Sequence, residues 1–102
     1  GRRRQMVVDA LRRIPGLTCA MPEGAFYAYP GVAGCLGRTT AGGIRLETDH
    51  DFALAFLDEG YVATVPGSAF GQSPYLRLSC ATGDADLMEA CARLERFVST
   101  LR

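Results

Sequence analysis

The sequence predicts an α/β chain of the two-layer α+β type: a small, mainly antiparallel sheet of three or four strands with helices packed on one face. Three segments repeat apolar residues at three- and four-residue spacing, as amphipathic helices do. Short runs rich in aromatic and β-branched residues lie between them, bounded by glycine and proline, as strands do. A chain of 102 residues suffices for one domain, and no boundary is visible inside 1–102.

The predicted elements follow one another as helix, strands, loop, helix, strand, strand and helix. Pro15-Gly16 ends the first helix, which has no N-cap and which we expect to be the back half of a longer one. Thr48 and Asp51 have the spacing of a capping arrangement at the start of the second helix, and Gly60 suits its C′ position. The predicted helices cover 2–14, 48–59 and 84–101, and the predicted strands cover 25–30, 61–65 and 75–80. A glycine-rich loop is predicted over 31–47 and a compact turn over 66–71.

Composition excludes several classes of function. All eleven basic residues are arginine, so the chain alone can form neither a lysine Schiff base nor a Walker-type phosphate loop. His50 is the single histidine, which rules out a two-histidine zinc motif, and we expect no metal site. Zero net charge gives no reason to bind nucleic acid or an anionic membrane. No apolar run approaches the roughly 18 residues of a membrane helix.

The four cysteines carry no Cys-x-x-Cys spacing, so neither a zinc ribbon nor a redox pair is indicated. Four cysteines could form two disulfides in a secreted domain. The start of the chain does not resemble a secretory signal, and we therefore expect buried thiols in a reducing compartment, the cytoplasm. These residues are Cys19, Cys35, Cys80 and Cys91.

Arg77 is a charged residue inside a predicted strand and is the main candidate for a binding residue. It lies between Leu76 and Leu78 in a predicted strand, so its side chain points to the face opposite theirs. A guanidinium on a rigid strand can grip a carboxylate through two parallel hydrogen bonds. From spacing alone, an ordinary solvent-facing arginine is the favoured explanation, because most charged residues are simply exposed. The turn with Ser68 and Phe70 has two interpretations, a loop facing a site or a tight connection.

Several motifs follow one another along the chain: Ile14-Pro15-Gly16-Leu17, Pro22-Glu23-Gly24-Ala25-Phe26-Tyr27, Val65-Pro66-Gly67-Ser68-Ala69-Phe70-Gly71, Tyr75-Leu76-Arg77-Leu78-Ser79 and Ala81-Thr82. In series they resemble the C-terminal small domain of class I/II aminotransferases, the pyridoxal-phosphate enzymes of the aspartate aminotransferase fold. The resemblance covers nearly the whole chain, in order and at similar spacing. The stretch from Leu36 to the Pro-Gly turn is most similar to the bacterial aspartate or aromatic amino-acid branch.

The resemblance implies that Arg77 binds the substrate α-carboxylate. Phe26, Tyr27, Ser68 and Phe70 would lie near the mouth of the site. The parent enzyme would be a homodimer that acts on amino acids and 2-oxo acids, with the small domain closing over the substrate. Its pyridoxal 5′-phosphate would sit on a large domain that carries the Schiff-base lysine. The present chain alone would therefore bind no cofactor and be inactive.

Two alternatives remain at this stage. The same fold could serve as the effector-binding domain of a transcriptional regulator, because aminotransferase-like domains also occur fused to DNA-binding modules. An unrelated α/β module that binds amino acids or a protein partner could share the same order of elements, since fold analogy does not settle function.

Overall fold

A computed structural model describes residues 2–20, 27–71, 73–79 and 84–102. The helices are α1 (Arg2–Arg12), α2 (Asp49–Gly60) and α3 (Asp84–Ser99). The strands are β1 (Thr18–Ala20), β2 (Tyr27–Gly31), β3 (Val65–Pro66) and β4 (Leu76–Ser79). Short 3₁₀ helices cover Ala33–Cys35 and Gly67–Phe70. The order of elements predicted from the sequence is confirmed.

The strands form one four-stranded sheet in the order β1-β2-β4-β3, and all three neighbouring pairs are antiparallel. Cys19 pairs with Pro30 at one edge, and Val65 pairs with Arg77 at the other. The predicted fold class, a small antiparallel sheet with covering helices, is confirmed. Strand β4 lies in the interior of the sheet, so its neighbours hold it on both sides.

The core lies between this sheet and the helices, and three aromatic rings form its centre. Phe52 contacts Phe56 and Phe97 edge-on, with ring centroids 6.3 and 5.2 Å apart. Phe56 and Phe97 lie 5.3 Å apart, which joins α2 to α3. Because Phe52 and Phe56 are fully buried, these contacts anchor α2 firmly against the rest of the chain.

The N-terminus of α2 is capped as predicted. The Thr48 hydroxyl accepts a hydrogen bond from the Asp51 N–H at 3.1 Å, and the Asp51 carboxylate accepts one from the Thr48 N–H at 3.2 Å. This reciprocal pair satisfies two backbone donors that would otherwise lack helical partners.

The C-terminus of α2 differs from the prediction. Gly60 was expected to follow the helix in the C′ position, but it is the last helical residue, and Tyr61 adopts the left-handed conformation with φ 59°. The Phe56 ring lies directly against the position that a Cβ on Gly60 would occupy. Gly60 is therefore required for close packing within the helix, and the left-handed turn falls on Tyr61.

The predicted strand over 61–65 is also wrong in extent, because only Val65–Pro66 forms β3. The left-handed conformation of Tyr61 interrupts the extended backbone that a strand requires. The Tyr61 carbonyl accepts a hydrogen bond from Arg93 Nη1 at 3.2 Å instead of joining a β ladder. High β propensity over 61–64 is thus overridden by the geometry of the preceding helix end.

The glycine-rich segment 31–47 is irregular, as expected, and contains the single short helical turn. Its middle is tied to the last residues of the chain. Arg38 Nη2 donates to the Leu101 carbonyl at 2.6 Å, and Thr39 and Arg102 exchange two backbone hydrogen bonds. A bridge between Thr39 and Arg45 closes the loop on itself.

Three of the four cysteines, Cys19, Cys35 and Cys91, are free thiols and buried, as predicted. Cys80 lies outside the described residues. In the described part of the chain, no helix is both long and apolar enough to cross a bilayer.

Candidate functional site

Arg77 lies at the centre of β4, on the face opposite the core. Leu76 and Leu78 on either side are 0% and 5% exposed, whereas Arg77 is half-buried. Because side chains alternate along a strand, Leu76 and Leu78 face the helices and Arg77 faces the other way. The orientation predicted from the sequence is confirmed.

Tyr29 lies directly opposite Arg77 on β2. The pairs Ala28–Leu78 and Gly31–Tyr75 set this register, and Val65 flanks Arg77 from the other side. Tyr29, Arg77 and Val65 are each half-buried, whereas Leu76 and Leu78 in the neighbouring row of β4 belong to the core. Sequence reasoning missed Tyr29, because the register between β2 and β4 is needed to find it.

The other predicted site residues are distributed around this row. Tyr27 pairs with Ser79, two residues along β4 from Arg77. Ser68 and Phe70 belong to the 3₁₀ helix Gly67–Phe70, and Ser68 is exposed. Phe26 lies outside the described residues. The structure therefore brings the backbone of Tyr27 and of the Gly67–Phe70 turn to the same strand as Arg77.

The Gly67–Phe70 turn is attached to both of its neighbours. The Gly67 N–H donates to the Tyr75 carbonyl at 2.5 Å, two residues before Arg77. The Ser68 N–H donates to Asp49 Oδ2 at the start of α2, at 3.1 Å. Asp49 is fully buried. An acidic residue in the first turn of a helix is explained by the helix dipole alone, so the sequence gives no sign of a distant partner for Asp49.

The arrangement around Arg77 suits the binding of an anion. A half-buried guanidinium is less screened than one in water, so its attraction to a carboxylate is strengthened.

Burial raises the pKa of the Cys35 thiol, and the nearby Arg38 charge only partly opposes that shift. Cys35 therefore stays protonated and unreactive near neutral pH.

Pyridoxal phosphate finds no lysine in this sequence for a Schiff base, and the described residues form no cluster of metal ligands. Within the described residues, no three histidine, cysteine or acidic side chains come together as metal ligands. The whole sequence has no lysine, so it offers no amine for a Schiff base with the cofactor aldehyde. Any such cofactor would require residues beyond this chain.

A cleft of about 340 Å³ lies elsewhere, between the end of α2 and α3. It includes Tyr61, Arg93 and Arg96 but none of the predicted site residues. Both arginines already pair with Glu89, at 3.0 and 3.3 Å. This cleft therefore does not coincide with the site predicted from the sequence.

Comparison with known proteins gives a consistent family. Residues 1–94 match the family described as aminotransferase class I and II. The chain is 52% identical over 100 residues to an aspartate/prephenate aminotransferase of Cereibacter sphaeroides. This match covers 98% of the present chain and 25% of that protein. The chain is also 53% identical over 93 residues to an aspartate aminotransferase of Rhizobium meliloti. That match covers 91% of the present chain and 23% of that protein.

Solved structures agree with these sequence matches. The crystal structure of the Rhizobium meliloti aspartate aminotransferase superposes with a TM-score of 0.96 at 50% identity, over 99% of this chain and 25% of that one. An aromatic aminotransferase from Pyrococcus horikoshii superposes with a TM-score of 0.79 at 38% identity, over 96% of this chain and 24% of that one. A fold unrelated to aminotransferases is therefore excluded. The chain spans about a quarter of the length of these relatives, and it belongs to the class I and II aminotransferase family.

Proposed function

We propose that this chain is the C-terminal small domain of a pyridoxal-phosphate-dependent aminotransferase of the aspartate or aromatic amino-acid type. In this role Arg77 binds the α-carboxylate of the amino acid or 2-oxo acid substrate, and the domain closes over the site. The observation that carries the proposal is a half-buried arginine on an interior strand, facing away from the helices.

The placement of Arg77 supports this role in two ways. Strands on both sides of β4 restrict its backbone, so the guanidinium is presented with little freedom to lose on binding. A carboxylate meets the fork of an arginine through two hydrogen bonds, which set the direction of the substrate as well as its affinity. Such orientation would direct the amino group toward the reacting centre.

The remaining components of the activity would come from outside this chain. The cofactor supplies the carbanion-stabilising chemistry of transamination, and its Schiff-base lysine would belong to the larger part of the protein. We further propose that the complete protein is a homodimer in the cytoplasm. Three buried free thiols are compatible with a reducing compartment.

The test is steady-state kinetics on the full-length polypeptide that contains this chain, with L-aspartate and with the amine that lacks its α-carboxylate. Arg77→Ala should lower kcat/KM for aspartate by about 10- to 100-fold, the range for a lost charge-assisted hydrogen bond. The rate with the decarboxylated amine should change little, since it lacks the α-carboxylate that Arg77 would bind. Arg77→Lys should recover only part of the loss, because it keeps the charge without the fork.

Arg45→Ala provides the matched control. Arg45 is an exposed arginine whose nearest carboxylate, Glu47, is 4.0 Å away at the surface. This variant should leave kcat/KM unchanged. An equal loss of activity with both substrates in Arg77→Ala would contradict carboxylate binding. The separate 102-residue chain should show neither cofactor absorbance nor turnover, and turnover there would contradict the argument from the missing lysine.

A further inference from the structure

Asp49 is a fully buried carboxylate at the first position of α2. Its Oδ2 accepts the Ser68 N–H at 3.1 Å, while Oδ1 is buried and has no hydrogen-bond partner among the residues that the structure describes. Burying a carboxylate is costly unless it is well paired. An acidic residue at this position is therefore poorly explained by the stability of the helix alone.

Asp51, two residues later, shows what a purely local role looks like. Its carboxylate accepts hydrogen bonds from the Glu47 and Thr48 N–H groups at 3.1 and 3.2 Å. All of these contacts lie within the start of α2. Asp49, by contrast, bonds to a residue 19 positions away, in the Gly67–Phe70 turn. The two carboxylates share a helix end but hold different parts of the structure.

The turn held by Asp49 leads directly to Arg77. Ser68 adjoins Gly67, whose N–H donates to the Tyr75 carbonyl. Just before the turn, Pro66 pairs with Leu76 and Val65 pairs with Arg77. The hairpin that carries Arg77 is thus fastened to α2 through the Asp49–Ser68 hydrogen bond. Helix α2 is in turn anchored by its aromatic core contacts.

We propose that Asp49 is a positioning residue that holds the Gly67–Phe70 turn and, through it, the strand of Arg77 in the geometry that binds a carboxylate. This inference rests on the proposed function of Arg77. Substrate affinity depends on how well the binding group is held before the substrate arrives. Loss of the Asp49–Ser68 hydrogen bond should therefore weaken the binding of carboxylate substrates, in addition to any effect on folding.

The experiment compares Asp49→Ala, Asp49→Asn and Asp51→Ala in the full-length polypeptide. Asp49→Ala should raise KM for L-aspartate by about tenfold, the effect of one charge-assisted hydrogen bond, with a smaller change in kcat. Asp49→Asn should stay within about threefold of the wild-type KM, because its amide oxygen can still accept the Ser68 N–H. Asp51→Ala should lower the midpoint of urea unfolding by loss of the capping box, yet leave KM within about twofold.

The control separates positioning from stability. An Asp51→Ala variant that raised KM as much as Asp49→Ala would overturn the proposal, since the effect would then follow helix stability. A folded Asp49→Ala variant with wild-type KM would overturn it as well. If Asp49→Ala does not fold, Asp49→Ser provides the same comparison, because its shorter side chain suits a helix N-terminus but cannot span the distance to Ser68.

The failure of this inference differs from the failure of the proposed function. If Asp49 does not position the hairpin, Arg77→Ala still lowers kcat/KM while Asp49→Ala does not raise KM. If Arg77 does not bind the carboxylate, Arg77→Ala changes kcat/KM for L-aspartate and for the decarboxylated amine to the same extent. One set of purified variants thus distinguishes the two outcomes.

Discussion

Gly34 packs against the backbone of Gly16 with no room for a side chain, and Gly34→Ala tests this contact directly. A Cβ on Gly34 would lie 2.6 Å from the Gly16 carbonyl oxygen and 2.8 Å from the Gly16 Cα. Gly16 lies shortly after the end of α1 and has φ 89°. The atoms in the way belong to the backbone, so no side-chain rotation can relieve the clash.

The size of the effect follows from these distances. Carbon atoms in ordinary contact are about 3.5 Å apart, so the segments carrying Gly16 and Gly34 must separate by about 0.7 Å. Overpacking of this kind costs roughly 1 to 3 kcal/mol, and an immovable backbone favours the upper end. Alanine also restricts the unfolded chain, which returns about 0.4 to 1 kcal/mol. We expect a net loss of about 2 kcal/mol, or a Tm decrease of about 10 °C.

Urea unfolding and thermal melts followed by circular dichroism measure both quantities. Gly42→Ala is the matched control: its Cβ would meet only the Glu59 carboxylate, 2.9 Å away at the end of a flexible side chain. That variant should change the free energy of unfolding by less than about 0.5 kcal/mol, because the side chain can move. Equal effects of Gly34→Ala and Gly42→Ala would refute the reasoning.

Two further predictions concern Cys35 and Tyr61. Because burial raises the pKa of Cys35, its contribution to stability is complete below the ordinary thiol pKa of about 8.5 and is lost as pH rises through the folded-state value. Cys35→Ala should therefore reduce the fall in unfolding free energy between pH 8 and pH 10, measured by urea titration; an identical fall in both proteins would argue against a buried thiol. Tyr61→Gly should stabilise the protein by about 0.5 kcal/mol, because glycine relieves the left-handed backbone at φ 59° and the tyrosine side chain is 75% exposed. Tyr61→Ala, which keeps the left-handed backbone strained, should give no such gain in a thermal melt.

Much of the fold could be predicted because its signals are local. The apolar spacing of α3, the capping residues of α2 and the proline-glycine ends of the elements all act over a few residues. The orientation of Arg77 was predictable for the same reason, since alternation along one strand determines it. Where local signals competed, the prediction was wrong. The residues after Gly60 have strand-forming side chains, but the helix continues through Gly60 and the left-handed turn falls on Tyr61.

Element order, fold class and the face on which Arg77 lies were predictable from the sequence, because each depends on residue types at short, fixed spacings; the family was indicated by the resemblance of several motifs in series. The surroundings of Arg77 required the three-dimensional structure. Tyr29 lies opposite Arg77 through the register of two strands, and Asp49 bonds across 19 positions to Ser68, in the turn that precedes the strand of Arg77. The physical reason is that strand register and side-chain-to-backbone contacts are settled by packing of the whole chain, in which distant segments bury a common core.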